Sequence, residues 1–88
     1  MAFIWDSNNV SHIAEHDVLP NEAEEALTDP NRLSTPSYRG ADGERRTRAT
    51  GETEDGRLLV VVFTVRDGAI RVVTARPVTP SERIAYGR

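Results

Sequence analysis

The chain has no cysteine, which excludes disulfides and thiolate metal sites. It also has no lysine: all 11 basic residues are arginine. An arginine-only set has two readings. One is a compositional bias of the genome. The other is a need for guanidinium groups, which grip phosphate in bidentate fashion and never lose their charge. No apolar run is long enough for a membrane-spanning helix. The opening Met1-Ala2-Phe3-Ile4-Trp5-Asp6 has neither a basic n-region nor a long apolar h-region. No secretory signal is therefore expected, and the cytoplasm is the simplest compartment. No serine stands in a nucleophile elbow, no glycine-rich loop follows a strand, and the histidines have no matched serine or cysteine. Hydrolase triads and nucleotide-binding loops are accordingly poor readings.

At 88 residues a single domain over 1–88 is expected. A domain of this size buries only about 60% of the surface its unfolded chain exposes, so a partner or self-association would help it. The 14 acidic residues outnumber the arginines and give a net charge of -3. General nucleic-acid binders are usually basic overall, so any attraction to phosphate must here be local. The acids crowd into residues 15–29 and 52–55, and the arginines dominate 45–48 and 66–88. A basic surface separate from an acidic one is the implied arrangement.

The expected elements follow from patterning. Residues 2–5 read as a short strand. Ser7 or Asn8 caps a helix to about His16, with Val10, Ile13 and Ala14 on one face. A second helix runs to Leu27, started either by Pro20 at a first helical position or by Asn21 as cap with Glu24 three residues on. Asp29-Pro30 stops it. Residues 33–36 read as a strand and 37–43 as a loop. Strands follow over 45–51, 57–66 and 69–76, the middle one central because its apolar run is unbroken. Thr79-Pro80-Ser81-Glu82 predicts a capped helix over 80–86.

Two turns fix a register. Asp67-Gly68 suits a two-residue type I′ turn that pairs Arg66 with Ala69, Val65 with Ile70 and Thr64 with Arg71. Leu59, Val61, Phe63, Val65, Ile70 and Val72 then share a core face. Val62, Thr64, Arg66, Arg71 and Val73 share the other. A three-residue Glu54-Asp55-Gly56 loop, with Gly56 left-handed, places Arg46 opposite Thr64 and Arg48 opposite Val62. The two-residue alternative would put the Arg48 guanidinium on the core face, at high cost. The chosen register creates a row Arg46–Thr64–Arg71 across three strands, with Arg66 and Glu44 beside it. A bulge would undo it.

Such a face is either a solvated surface with ion pairs to Glu44 and Glu52, or a seat for an anion. His12 and His16, four residues apart, face the same way. They lack a third metal ligand, so no metal is expected; His16 is the candidate general acid or base. Glu82, Arg83 and Tyr86 on the last helix are either structural, through capping and packing, or donors toward a phosphate. Trp5 either packs the first strand onto the helices or stacks a base.

The ordered set resembles the BrnT family. The resemblance runs through Phe3-Ile4-Trp5-Asp6, His16, Val18, Glu22-Ala23 and Asp29-Pro30. It continues through Glu44, Arg46, Gly51, Gly56-Arg57-Leu58, Thr64, Arg66, Arg71, Ala75-Arg76, Thr79, Glu82-Arg83 and Tyr86. It covers almost the whole chain. It implies an α+β fold similar to RelE: an antiparallel sheet with two N-terminal helices and a short C-terminal helix. It implies a toxin of a type II toxin–antitoxin pair that cuts RNA without a cofactor, inhibits translation, and is neutralised by a BrnA-like antitoxin. DNA would be met only indirectly, through the antitoxin complex. Arg46, Arg66, Arg76, His16, Glu82 and Tyr86 are then the candidate catalytic residues, and Arg48, Arg71, Arg83 and Trp5 the candidate RNA contacts. The family usually has lysine at Asn9, asparagine at His12, and Lys-His-Gly in place of Glu15-His16-Asp17. These differences make the first helix less positive.

Overall fold

The computed structural model describes residues 2–87; Met1 and Arg88, both included in the charge and leader arguments above, lie outside them. The order of elements is β1 (Phe3–Ile4), α1 (Ser7–Ala14), α2 (Pro20–Leu27), β2 (Leu33–Ser34), β3 (Tyr38–Arg39), β4 (Arg45–Glu52), β5 (Leu58–Arg66), β6 (Ala69–Pro77) and α3 (Pro80–Tyr86). This is the α+β class expected. The sheet runs β1-β6-β5-β4-β2, with β3 pairing the free end of β4. All pairs are antiparallel except β1 with β6, so the sheet is mixed.

The helices form where local chemistry starts and stops them. α1 is capped by Asp6 rather than by Ser7 or Asn8: its carboxylate accepts the N–H groups of Asn8 and Asn9, and the Asn9 side chain accepts the Asp6 N–H. The helix ends at Ala14, two residues short of His16, because the chain turns into a left-handed Asp17 at φ 58°. α2 starts with Pro20 at its first position, and Glu22 accepts the Leu19 N–H. α3 has the expected box, with Thr79 accepting from Glu82 N–H and Glu82 from Thr79 N–H.

Both hairpin registers appear as expected. Arg66 pairs with Ala69 and Thr64 with Arg71. Arg48 pairs with Val62, and Gly56 adopts φ 84°. Thr47 pairs with Phe63, which leaves Arg46 next to Thr64. The row of residues survives, but a bulge lies below it. Phe63 pairs with Val72 and Val62 with Thr74, so Val73 is an extra residue in β6. That shift turns Ala75 into the core opposite Val61 and places Arg76 opposite Val60 on the other face.

The core lies between the sheet and α1/α2. Ile13, Val18, Ala23, Ala26 and Leu27 meet Ala49, Leu59, Val61, Ile70, Val72 and Ala75, with Phe3, Trp5 and Phe63 at its margin. Gly51 is the point of closest approach: a Cβ there would stand 1.9 Å from the Ala26 carbonyl oxygen. Three expectations about strands and loops are corrected. Val65 is 63% exposed rather than in the core, because the hairpin tip extends beyond the cover of the helices. Residues 37–43 are not all loop: Tyr38 and Arg39 pair with Arg46 and Arg45, and the turn closes through the Gly40 N–H donating to the Glu44 carbonyl. The expected strand over 33–36 shortens to Leu33–Ser34.

Candidate active site

A cleft of about 310 Å³ opens beside the β5–β6 hairpin, lined by Asn8, Asn9, His12, Asp42, Glu44, Arg46, Arg66, Arg71, Val72 and Val73. Four structural devices build it. The register brings Arg46, Arg66 and Arg71 to one side from β4, β5 and β6. The β3–β4 turn supplies Asp42 and Glu44. The bulge at Val73 shapes one wall. Finally, Asn9 ties α1 to that wall, its amide donating to the carbonyls of Ile4 and Val72 at 2.9 and 3.1 Å. Asn9 is buried, so its role in the fold is that of a clamp.

Each guanidinium has a carboxylate partner. Arg66 donates to Glu44 at 2.9 and 3.3 Å. Arg71 donates to Asp6 at 2.7 and 3.4 Å. Arg46 donates to Asp42 at 3.2 Å. The consequences show in titration. Arg71, then the Asn9 N–H, holds Asp6 below its usual range. The Glu44 N–H holds Asp42 down, with Arg46 adding to it against some burial. Glu44 raises Arg66. The Arg46 guanidinium lies against Gly40, where a Cβ would stand 2.7 Å from Nε. Among the described residues its Nε is the one buried side-chain polar atom without a hydrogen-bond partner.

The cleft does not gather all the residues expected to work together. Arg76 sits roughly 16 Å along the strand from Arg71 at ordinary strand rise. It donates to both oxygens of Glu82 at 2.8 and 2.9 Å. That pairing, against partial burial, holds the Glu82 carboxyl down at about 2, with the Thr79 N–H adding to it. Tyr86 donates its hydroxyl to Asp29. Asp29 is buried, which pushes its carboxyl up, but Tyr86 and the N–H groups of Asn31 and Glu52 outweigh this and leave it lowered. Trp5 donates its indole N–H to Glu24 at 2.7 Å and packs on the core. Arg48 lies over the Tyr38 ring, 5.9 Å from its centroid. Arg83 and His16 are exposed, the His16 ring edge-on to His12 at 6.2 Å. None of these seven lines the cleft. Sequence reasoning missed Asp6, Asn8, Asp42 and Gly40, and passed over His12 in favour of His16. The Asp42-Gly43 pair ahead of Glu44 was the available signal for a tight turn carrying a carboxylate.

Among the described residues no three His, Asp or Glu side chains converge as a metal ion would require, and no helix is long and apolar enough to cross a membrane. Fold and cleft together define a small α+β protein with a guanidinium-lined cleft of a size to admit a phosphate group. Residues 5–82 match the family model described as ribonuclease toxin, BrnT, of type II toxin-antitoxin system, and the chain belongs to this family. No curated protein matches the chain. Membership makes this a toxin of the ribonuclease kind, with an antitoxin as its partner.

Proposed function

We propose that the protein is a metal-independent endoribonuclease that cleaves cytoplasmic RNA, halts translation, and is neutralised by a BrnA-like antitoxin. The observation that carries this reading is the meeting of Arg46, Arg66 and Arg71 in one cleft. Asp6 and Asp42 hold backbone N–H groups through Oδ1 and their closest arginine contacts through Oδ2, so the arginines can turn to a substrate while both carboxylates keep their backbone bonds. Ion pairs with exposed members contribute little and exchange readily. A phosphodiester that meets several guanidiniums at once forms charge-assisted, bidentate bonds that one carboxylate per arginine does not match. The RNA's own 2′-hydroxyl attacks the adjacent phosphorus, and the three arginines stabilise the charge that grows on the phosphoryl oxygens.

A second reading is favoured by one fact: every arginine in the cleft is already paired. On that reading the protein is a weakly active toxin fold whose work is to hold its antitoxin and tune transcription. Induced expression separates the two. Growth arrest with fragmented RNA, relieved by the antitoxin and by Arg66→Ala, supports the nuclease. Normal growth with whole RNA and a tight antitoxin complex selects the binding module.

A further inference from the structure

Attack by a 2′-hydroxyl needs a group to take its proton, and a guanidinium remains protonated at neutral pH. Apart from the arginines, the titratable side chains lining the cleft are His12, Asp42 and Glu44. Both carboxylates are engaged, Asp42 with Arg46 and the Glu44 N–H, Glu44 with Arg66. His12 stands one helical turn after Asn8 and faces the same cleft, its side chain 53% exposed. Its Nδ1 lies toward Glu15, 3.9 Å from Oε2, which leaves Nε2 for a substrate.

We propose that His12 is a catalytic residue of this cleft, its Nε2 accepting the 2′-hydroxyl proton of an RNA whose scissile phosphate lies among Arg46, Arg66 and Arg71. The inference rests on the ribonuclease reading above. As the proton passes to Nε2, the 2′-oxygen bonds to phosphorus. The bond from phosphorus to the 5′-oxygen breaks, and that oxygen takes a proton from water. The products are a 2′,3′-cyclic phosphate and a 5′-hydroxyl, with no net oxidation. The first helix, less positive than elsewhere in the family, then contributes a base where it contributes little attraction.

The test is single-turnover cleavage of a labelled RNA oligomer by the full chain, followed from about pH 5 to 9, where histidine titrates. Wild type, His12→Asn and Arg66→Ala are compared, with His12→Gln carried alongside in case asparagine unsettles the helix. Charged groups around the ring belong to the turn that follows α1 (Glu15, His16), the β3–β4 hairpin (Asp42, Glu44, Arg46), β5 (Arg66) and β6 (Arg71). The profile is therefore read as a difference between variants. His12→Asn is expected to slow cleavage about 10²–10⁴-fold and to abolish the rise in rate with pH, at unchanged thermal unfolding and RNA binding. Wild-type cleavage that both His12 variants preserve, or a slowed variant that keeps the rise, overturns the role of His12 and leaves the ribonuclease reading standing. RNA left whole by the wild type removes that reading and the inference with it.

Discussion

Two Arg–Glu pairs of identical composition stand at opposite ends of the sheet and do different things. Arg66 and Glu44 meet across the mouth of the cleft, with Arg66 51% exposed. Arg76 and Glu82 meet at the base of β6, where Glu82 also accepts the Thr79 N–H and so closes the start of α3. The first pair joins two side chains that water and phosphate can reach. The second joins a strand to a helix start through a carboxylate with backbone duties. A phosphate can displace Glu44 without unfolding anything, whereas displacing Glu82 opens a cap. The role of an ion pair is thus set by what else its carboxylate holds.

The sharpest way to break this contrast is Arg66→Ala. Cleavage is expected to fall roughly 10²–10³-fold, as for loss of a preorganised charge donor, with thermal unfolding unmoved as is usual for a surface substitution. A variant that unfolds as well would place Arg66 with Arg76. Next comes Asp29→Ala, which extends the structural end of the comparison. It removes one acceptor shared by the Tyr86 hydroxyl and the Asn31 and Glu52 N–H groups. Urea unfolding should show a loss of about 2–4 kcal/mol, and an unchanged midpoint would deny α3 its anchoring role.

The pH dependence of stability is the third test. The Glu82 carboxyl is held at about 2, below its free value of 4.5. A depressed carboxylate stabilises the fold above its unfolded value, and that contribution disappears as pH falls from about 4.5 toward 2. Arg76 is 39% exposed, so screening reduces the contribution to about 1–2 kcal/mol. Glu82→Gln should lower the neutral-pH midpoint and flatten the acid limb, and an unaltered acid limb would refute the assignment. The smallest effect is expected from Glu44→Gln. Freeing Arg66 should tighten RNA binding about two- to fivefold at low salt, fading as salt rises. Weaker binding would mean that Glu44 positions Arg66 rather than competing for it.

The fold was readable wherever local rules, joined at one turn by the cost of burying Arg48, left a single solution. Asp67-Gly68 and Glu54-Asp55-Gly56 set both hairpins, and Thr79-Pro80-Ser81-Glu82 set α3. The convergence of Arg46, Arg66 and Arg71 followed from those registers alone. The misses have a common cause: they depend on contacts between residues distant in sequence. Asp6 reaches Arg71 across 65 positions. Val65 obeys strand alternation but lies beyond the helices that would cover it. His12 and His16 were expected on one helix face, but α1 ends at Ala14, so only His12 is on the helix, which packs against β6 and carries it into the cleft. Gly40 has no special backbone angle to announce it; its value is the space it leaves for Arg46.

The extra residue at Val73 gives the sheet a phase change midway along one strand. Toward the tip, the alternation serves substrate; toward the base, it serves the layers of helix on either side. Indels in β6 should therefore be tolerated unequally. Trimming Val73 itself keeps every partner on both flanks and alters only the wall of the cleft that the bulge shapes. Removing Ala75 would draw on the same slack, leaving Arg76 opposite Val60 but pulling the Thr74 hydroxyl into the core slot opposite Val61.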